Sequence, residues 1–213
     1  MQTFSASQGA LIVNKLIKVI QENKQYLSDI DGLIGDGDHG INMNKGFTRC
    51  REELDKNPGD FSHSLKTLAN ILIMEIGGSM GPLYGKFFKE FARAIESENN
   101  IGKEEFGNAV EAALAGIQTI SSAIPGDKTL MDTLVLAFVA YKKALADKKT
   151  FKVALDEMVS AARTGRDSTI EMIARIGRAS RLGERSRGVP DAGASSCYLI
   201  LESMAESIKL LIT

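Results

Sequence analysis

Two cysteines in 213 residues, Cys50 and Cys197, give neither a disulfide framework nor the paired spacing of a zinc site. They read as small core residues of a chain in a reducing cytoplasm. The formal net charge is −1, so no global field recruits nucleic acid or an anionic membrane. The longest apolar run, Leu134 to Ala140, is far too short to span a bilayer. The first twenty residues lack a basic stretch followed by a long apolar one, so no signal peptide is expected. Clean period-two alternation, internal repeats, low-complexity tracts and linkers are all missing. That leaves little room for a β-sheet protein, a solenoid or a chain of separate modules.

What is present is helical periodicity almost throughout. Leu11, Ile12, Leu16, Ile17 and Ile20 recur at helical spacing. Further helices are predicted near 42–55, 61–76, 82–97, 103–122, 129–147, 150–167 and 194–212. Asp60 or Ser62 is placed to cap the helix near 61, and Pro82 suits a first helical turn. The run TLVLAFVAY at 133–141 could be read as a strand, but helix formers flank it and KKALADKK continues it, so it is assigned as a buried helix. Length and composition fit one all-α domain over 1–213, an eight-helix up-and-down bundle.

Four connections carry more than a turn requires: DGLIGDGDHG at 31–40, GGSMGP at 77–82, PGDKT at 125–129 and GRASRLGERSRGVPDAG at 177–193. Loops held by a rigid scaffold are where function concentrates. They follow the first, third, fifth and seventh predicted helices, so helices that alternate in direction would gather all four at one end.

Asp31, Asp36 and Asp38 offer hard oxygen ligands with no thiolate nearby, which suits Mg²⁺ or Ca²⁺ better than zinc. A calcium loop starting at Asp36 fails, because its sixth position is Ile41 and its twelfth is Phe47. Two Mg²⁺ ions bridged by phosphate would fit three aspartates, and so would a solvated Asp/Gly turn. His39 is compatible with a core histidine, a metal neighbour, a phosphate donor or a phospho-carrier. Gly77, Gly78 and Gly81 allow backbone N–H groups to approach an anion at a helix start, with Ser79 as a further donor, although a plain helix-connecting turn would look the same. It is not a Walker loop: GPLYGK is one residue short, and Phe87 follows Lys86. PGDKT resembles the tail of a phosphate loop, or a Pro-Gly turn in which Asp127 or Thr129 caps the next helix. Arg163, Arg166, Arg175, Arg178, Arg181, Arg185 and Arg187 supply bidentate phosphate donors. No aromatic is interleaved among them, which argues against nucleic acid. A carboxylate cluster, a glycine turn and an arginine loop together suggest a phosphate-and-magnesium site holding a nucleotide.

The segments IGDGDHGINMNKGF, GGSMGPLYGKFF, PGDKTLMDTL and GRASRLGERSRGVPDAGA resemble the nucleotide-binding subunit of the dihydroxyacetone kinases, the DhaL family. The resemblance covers nearly the whole chain. It implies an eight-helix antiparallel barrel with ADP or ATP in the loops at one end. It implies that Asp31, Asp36 and Asp38 bind two Mg²⁺, and that nucleotide contacts fall on His39, Gly40, Ile41, Asn42, Ser79, Met80, Ser121, Leu130, Arg178, Asp191, Ala192 and Gly193. Arg178 and His39 are the candidate catalytic residues. A free chain of this length resembles the form of the kinase that keeps the domain as a separate subunit. There, bound ADP is phosphorylated by a phosphohistidine donor (DhaM type) of the phosphoenolpyruvate phosphotransferase system. The phosphoryl group then passes to dihydroxyacetone on a second subunit (DhaK type). The alternatives are a related fatty-acid kinase system and a non-catalytic, nucleotide-bound regulatory subunit.

Overall fold

The computed structural model describes residues 2–213 and is built almost wholly from helices, nine α-helices and two 3₁₀ turns among those residues. The helices are α1 (Ala10–Glu22), α2 (Lys24–Ile34), α3 (His39–Lys56), α4 (Phe61–Glu75), α5 (Met80–Ala94), α6 (Lys103–Gln118), α7 (Leu130–Ala146), α8 (Phe151–Ser168) and α9 (Ala192–Leu211). Two short strands, β1 (Thr3–Ser5) and β2 (Asn100–Gly102), pair antiparallel with Phe4 opposite Ile101. None of the helices is long and apolar enough to cross a membrane.

Helix α2 corrects the expected count of eight. Its segment, KQYLSDIDGLI, mixes polar and apolar residues and contains Gly32, but Leu27, Ile30 and Ile34 fall on one face and are buried. A single residue, Asn23, separates it from α1, so the break between the two helices left little trace in composition. As a result Asp31 lies in the last turn of a helix rather than in a loop. The ribbon of β1 and β2 was also unforeseen, since three-residue strands carry no usable period.

Elsewhere the local signals hold. Asp60 caps α4 by accepting from His63 N at 2.8 Å, Thr129 caps α7, and Pro82 sits in the first turn of α5. The stretch 133–141 lies inside α7. In sequence order from α3 each helix packs on the next, and α9 packs back on α1, which also touches α3, so the contacts close on themselves, with α2 against α3 and α9.

The two ends of this arrangement differ in chemistry. At one end an edge-to-face series of rings fills the interior: Phe4, Phe61, Phe91 and Phe106 follow one another at centroid separations of 5.6 to 6.0 Å. Phe151 and Tyr141 close the series against Phe106. These rings come from the start of the chain, the N-terminal ends of α4, α6 and α8 and the C-terminal ends of α5 and α7. The other end therefore receives the C-terminal ends of α4, α6 and α8 and the N-terminal ends of α5, α7 and α9. Cys50 and Cys197 are free and buried, and burial pushes the Cys50 thiol up to about 12.

Candidate nucleotide and metal site

A cavity of about 470 Å³ opens at the end opposite the aromatic rings, and all four loaded connections reach it. Four helices begin on its wall: His39, Met80, Leu130 and Ala192 are the first residues of α3, α5, α7 and α9. Each helix start carries roughly half a positive charge and several unpaired N–H groups, so the cavity is electrostatically suited to an anion. Side chains cap α7 and α9: Thr129 Oγ1 accepts from Met131 N, and an Asp191 oxygen accepts from Ala194 N at 2.7 Å. The starts of α3 and α5 have no side-chain cap. Ahead of α5 the backbone turns through Gly78 at φ +74°, and a Cβ built on Gly77 or Gly78 would meet nothing within 4 Å. The glycine turn is thus open where a ligand backbone contact would form.

Asp31, Asp36 and Asp38 can each bring one carboxylate oxygen within 4.8 Å of the others. Asp31 comes from the last turn of α2, and the other two from the turn that follows, where Gly37 takes φ +75°. A cation would relieve the repulsion of three like charges at this separation, and hard oxygen donors with no sulfur among them suit Mg²⁺. Arg178 supplies part of that charge in the structure, with its guanidinium against the Asp36 carboxylate.

Of the residues singled out from the sequence, His39, Asn42, Ser79, Met80, Ser121, Leu130, Arg178, Asp191, Ala192 and Gly193 line this one cavity together with the three aspartates. Gly40 and Ile41 do not. A Cβ on Gly40 would lie 2.0 Å from the Lys24 carbonyl oxygen, so this glycine lets α3 pack tightly on α2. Ile41 is 53% exposed on the outside of α3. Among the arginines only Arg178 lines the cavity. Arg163 donates to the Tyr198 hydroxyl at 2.8 Å and Arg166 lies 4.5 Å over the Tyr198 ring, both away from the site.

Several residues at the site were not singled out from the sequence. Ile117, Ile120, Ala123, Leu83 and Ile176 make an apolar wall, scattered over three segments that only the fold brings together. Lys128 resembled a phosphate ligand, but its ammonium is turned the other way. It donates to the carbonyls of Ser186 (2.5 Å), Val189 (2.7 Å) and Met172 (3.2 Å), in a residue that takes φ +64°. The lysine therefore ties the 125–129 turn to the arginine loop, and burial lowers its pKa. Asp132 accepts from Thr129 N and Gly126 N and fixes the same turn.

Burial also shifts His39 and Asp191. The His39 imidazole is lowered to about 4, against the opposing pull of Asp31, so it is neutral at physiological pH. Asp191 is raised to about 7 by burial, while the Ala194 N–H and Lys128 pull it down. A carboxyl whose folded pKa lies above its unfolded value of about 3.9 binds more protons in the native state, so its stabilisation is lost as pH rises from about 4 to 7. Asn caps a helix as well as Asp does. Thermal melts of the metal-free chain should therefore show Asp191→Asn gaining on the wild type between pH 5 and 8. A difference independent of pH would contradict the buried, shifted carboxyl.

Residues 33–206 match the model of the DAK2 domain. The chain is 36% identical over 205 residues to the ADP-binding subunit DhaL of the PEP-dependent dihydroxyacetone kinase of Escherichia coli, covering 93% of this chain and 96% of that one. It belongs to the DAK2 domain family. Within that family it groups with the DhaL subunits, and the DhaL of kinase 1 from Listeria innocua is 38% identical over 88% of this chain and 89% of its own. The fold is that of the dihydroxyacetone kinase of C. freundii, with a TM-score of 0.72 at 23% identity, covering 96% of this chain and 35% of the longer one. That kinase has also been solved in complex with AMP-PNP and Mg²⁺ (TM-score 0.67).

Proposed function

We propose that this chain is the ADP/ATP-binding subunit of a phosphoenolpyruvate-dependent dihydroxyacetone kinase, residues 1–213 forming one DhaL-type domain. The observation that carries the reading is the meeting, across one cavity, of four helix N-termini and a three-carboxylate cluster. A polyphosphate with its magnesium is the ligand that needs both. The DhaL relatives, ADP-binding subunits of PEP-dependent dihydroxyacetone kinases, point the same way.

In this reading Asp31, Asp36 and Asp38 hold two Mg²⁺, which would neutralise phosphate charge and orient it for in-line transfer. Asn42, Ser79, Met80 and the open first turns of α3 and α5 surround the phosphates. Ser121, Leu130, Asp191, Ala192 and Gly193 line the rest of the nucleotide site, with the apolar wall of Ile117, Ile120 and Leu83 against the base. Arg178 releases Asp36 and adds charge neutralisation as the phosphoryl group moves. Phosphoryl transfer depends chiefly on positioning and electrostatics, so the chain itself needs no nucleophile. Dihydroxyacetone sits on a DhaK-type partner, and a DhaM-type phosphohistidine protein recharges the ADP. Two buried, free thiols accord with a cytoplasmic home.

Exposed aliphatic side chains support a partner at this end. Leu33, Ile41, Ile73, Met74, Ile120, Ile124 and Ile176 all lie on segments flanking the cavity. The isolated chain with Mg²⁺, ATP and dihydroxyacetone should make no dihydroxyacetone phosphate above background. Adding the substrate-binding subunit should give one turnover per bound ATP, and adding the phosphohistidine donor should make the reaction continuous. Multiple turnovers by the chain alone would refute the division of labour.

A further inference from the structure

Behind His39 lies a short series of buried hydroxyl groups that no step above employs. His39 Nε2 is 2.8 Å from Ser196 Oγ, which is 2.7 Å from the Tyr84 hydroxyl, which is 3.0 Å from the Gly193 carbonyl oxygen. Ser196 is fully buried and Tyr84 is 3% exposed, so no solvent completes their hydrogen bonding. A fourth, longer contact joins Ser196 Oγ to Gly193 O at 3.2 Å.

The protons can be assigned by counting. Two hydroxyls 2.7 Å apart need one proton between them. If Tyr84 supplied it, its 3.0 Å contact with the Gly193 carbonyl would oppose lone pairs, because a carbonyl only accepts. If Ser196 supplies it, the Tyr84 proton goes to Gly193 O. The 2.8 Å contact to His39 must then be filled by the imidazole's own Nε2–H. Only this direction, from His39 to Ser196 to Tyr84 to Gly193, puts a proton in each of the three shortest contacts. Gly193 O is fixed in turn by the first turn of α9, which the Asp191 cap holds.

We infer that Ser196 and Tyr84 are positioning residues for His39, fixing the orientation of its ring by taking up the Nε2–H in a residue that lines the cavity. This rests on the nucleotide-site reading for its ligand but not for its geometry. Second-layer contacts of this kind set ring orientation and tautomer in sites where a histidine must face one way.

The chain has two histidines, which makes the assignment readable by long-range ¹H–¹⁵N NMR of the imidazoles in the metal-free protein. His63 provides the internal reference, since its Nε2 faces the Asn57 carbonyl at 3.1 Å and must donate to it when neutral. Both rings should show a protonated Nε2. In Ser196→Ala, which only removes an oxygen, the His39 Nε2–H should exchange faster with water while the His63 signals stay in place. Tyr84→Phe should move the His39 signals too, because Ser196 loses its acceptor. An unprotonated Nε2 on His39, or His39 signals unmoved by both substitutions, would overturn the inference. In calorimetric titrations Ser196→Ala should bind MgADP about fivefold to tenfold more weakly, as expected for misplacing one hydrogen-bonding group. An unchanged affinity would remove the positioning role. A wild-type protein that binds no MgADP would instead overturn the nucleotide reading, with the tautomer still decided by the spectra.

Discussion

Replacing Arg178 with alanine should lower phosphoryl transfer through the reconstituted kinase about a thousandfold, the scale at which a transition-state arginine acts. Replacing Arg163 should change it less than about twofold. Both are arginines from the basic C-terminal half, and residue type ranks them alike; only the family resemblance singled out Arg178. Their surroundings separate them. Arg178 follows Gly177, whose φ of +77° turns the chain into a 3₁₀ segment, and its guanidinium reaches the Asp36 carboxylate at the cavity. That contact is exposed and exchangeable, so a phosphate can replace the carboxylate when metal occupies the aspartates. Arg163 is engaged on the outside of α8 by the Tyr198 hydroxyl and Glu202. Steady-state rates with saturating partner subunits would measure both variants. Equal losses would mean that a diffuse basic surface, and not one guanidinium, assists transfer.

Exhaustive chelation should release bound nucleotide and lower the melting temperature by about 10 °C. A ligand present at a thousand times its Kd stabilises by about 4 kcal/mol, and a chain of this size shifts by about 2–4 °C for each kcal/mol. The link is electrostatic. Asp31, Asp36 and Asp38 stand close enough to repel, and a polyphosphate added without a cation would bring still more negative charge to them. Asp36→Asn should reproduce most of the loss. The broken contact with Arg178 contributes little to that figure, since an exposed ion pair is worth at most about 1 kcal/mol. Asp55→Asn is the control: Asp55 is exposed on α3, well along the chain from the cluster, and its substitution should leave both binding and melting unchanged. A chelated protein that keeps its nucleotide and its melting curve would show that the three carboxylates do other work.

Much of this was legible in the sequence, because much of it is local. A helix is set by the spacing of apolar residues along one segment, so α1 and α3 to α9 could be read off directly, and their caps narrowed to Asp60 or Ser62 and to Asp127 or Thr129, of which Asp60 and Thr129 do the capping. The chemistry of the loops was legible for the same reason: three aspartates, a glycine turn and an arginine loop are each written in a short run. Helix α2 was not, since three buried residues in a segment of mixed composition, one residue beyond another helix, leave no boundary in composition. What only the tertiary structure decided is which of these groups meet. Side-chain identity does not say where an ammonium points, and Lys128 turns to three carbonyls that lie 44 to 61 residues away in sequence. Nor does it separate Arg178 from Arg163, or show that Gly40 serves helix packing while Gly77 and Gly78 border open space. The hydroxyl series from His39 to Gly193 joins three helices across 157 residues at its widest step. Contacts of that range are created by packing, and no period or motif within a single segment encodes them.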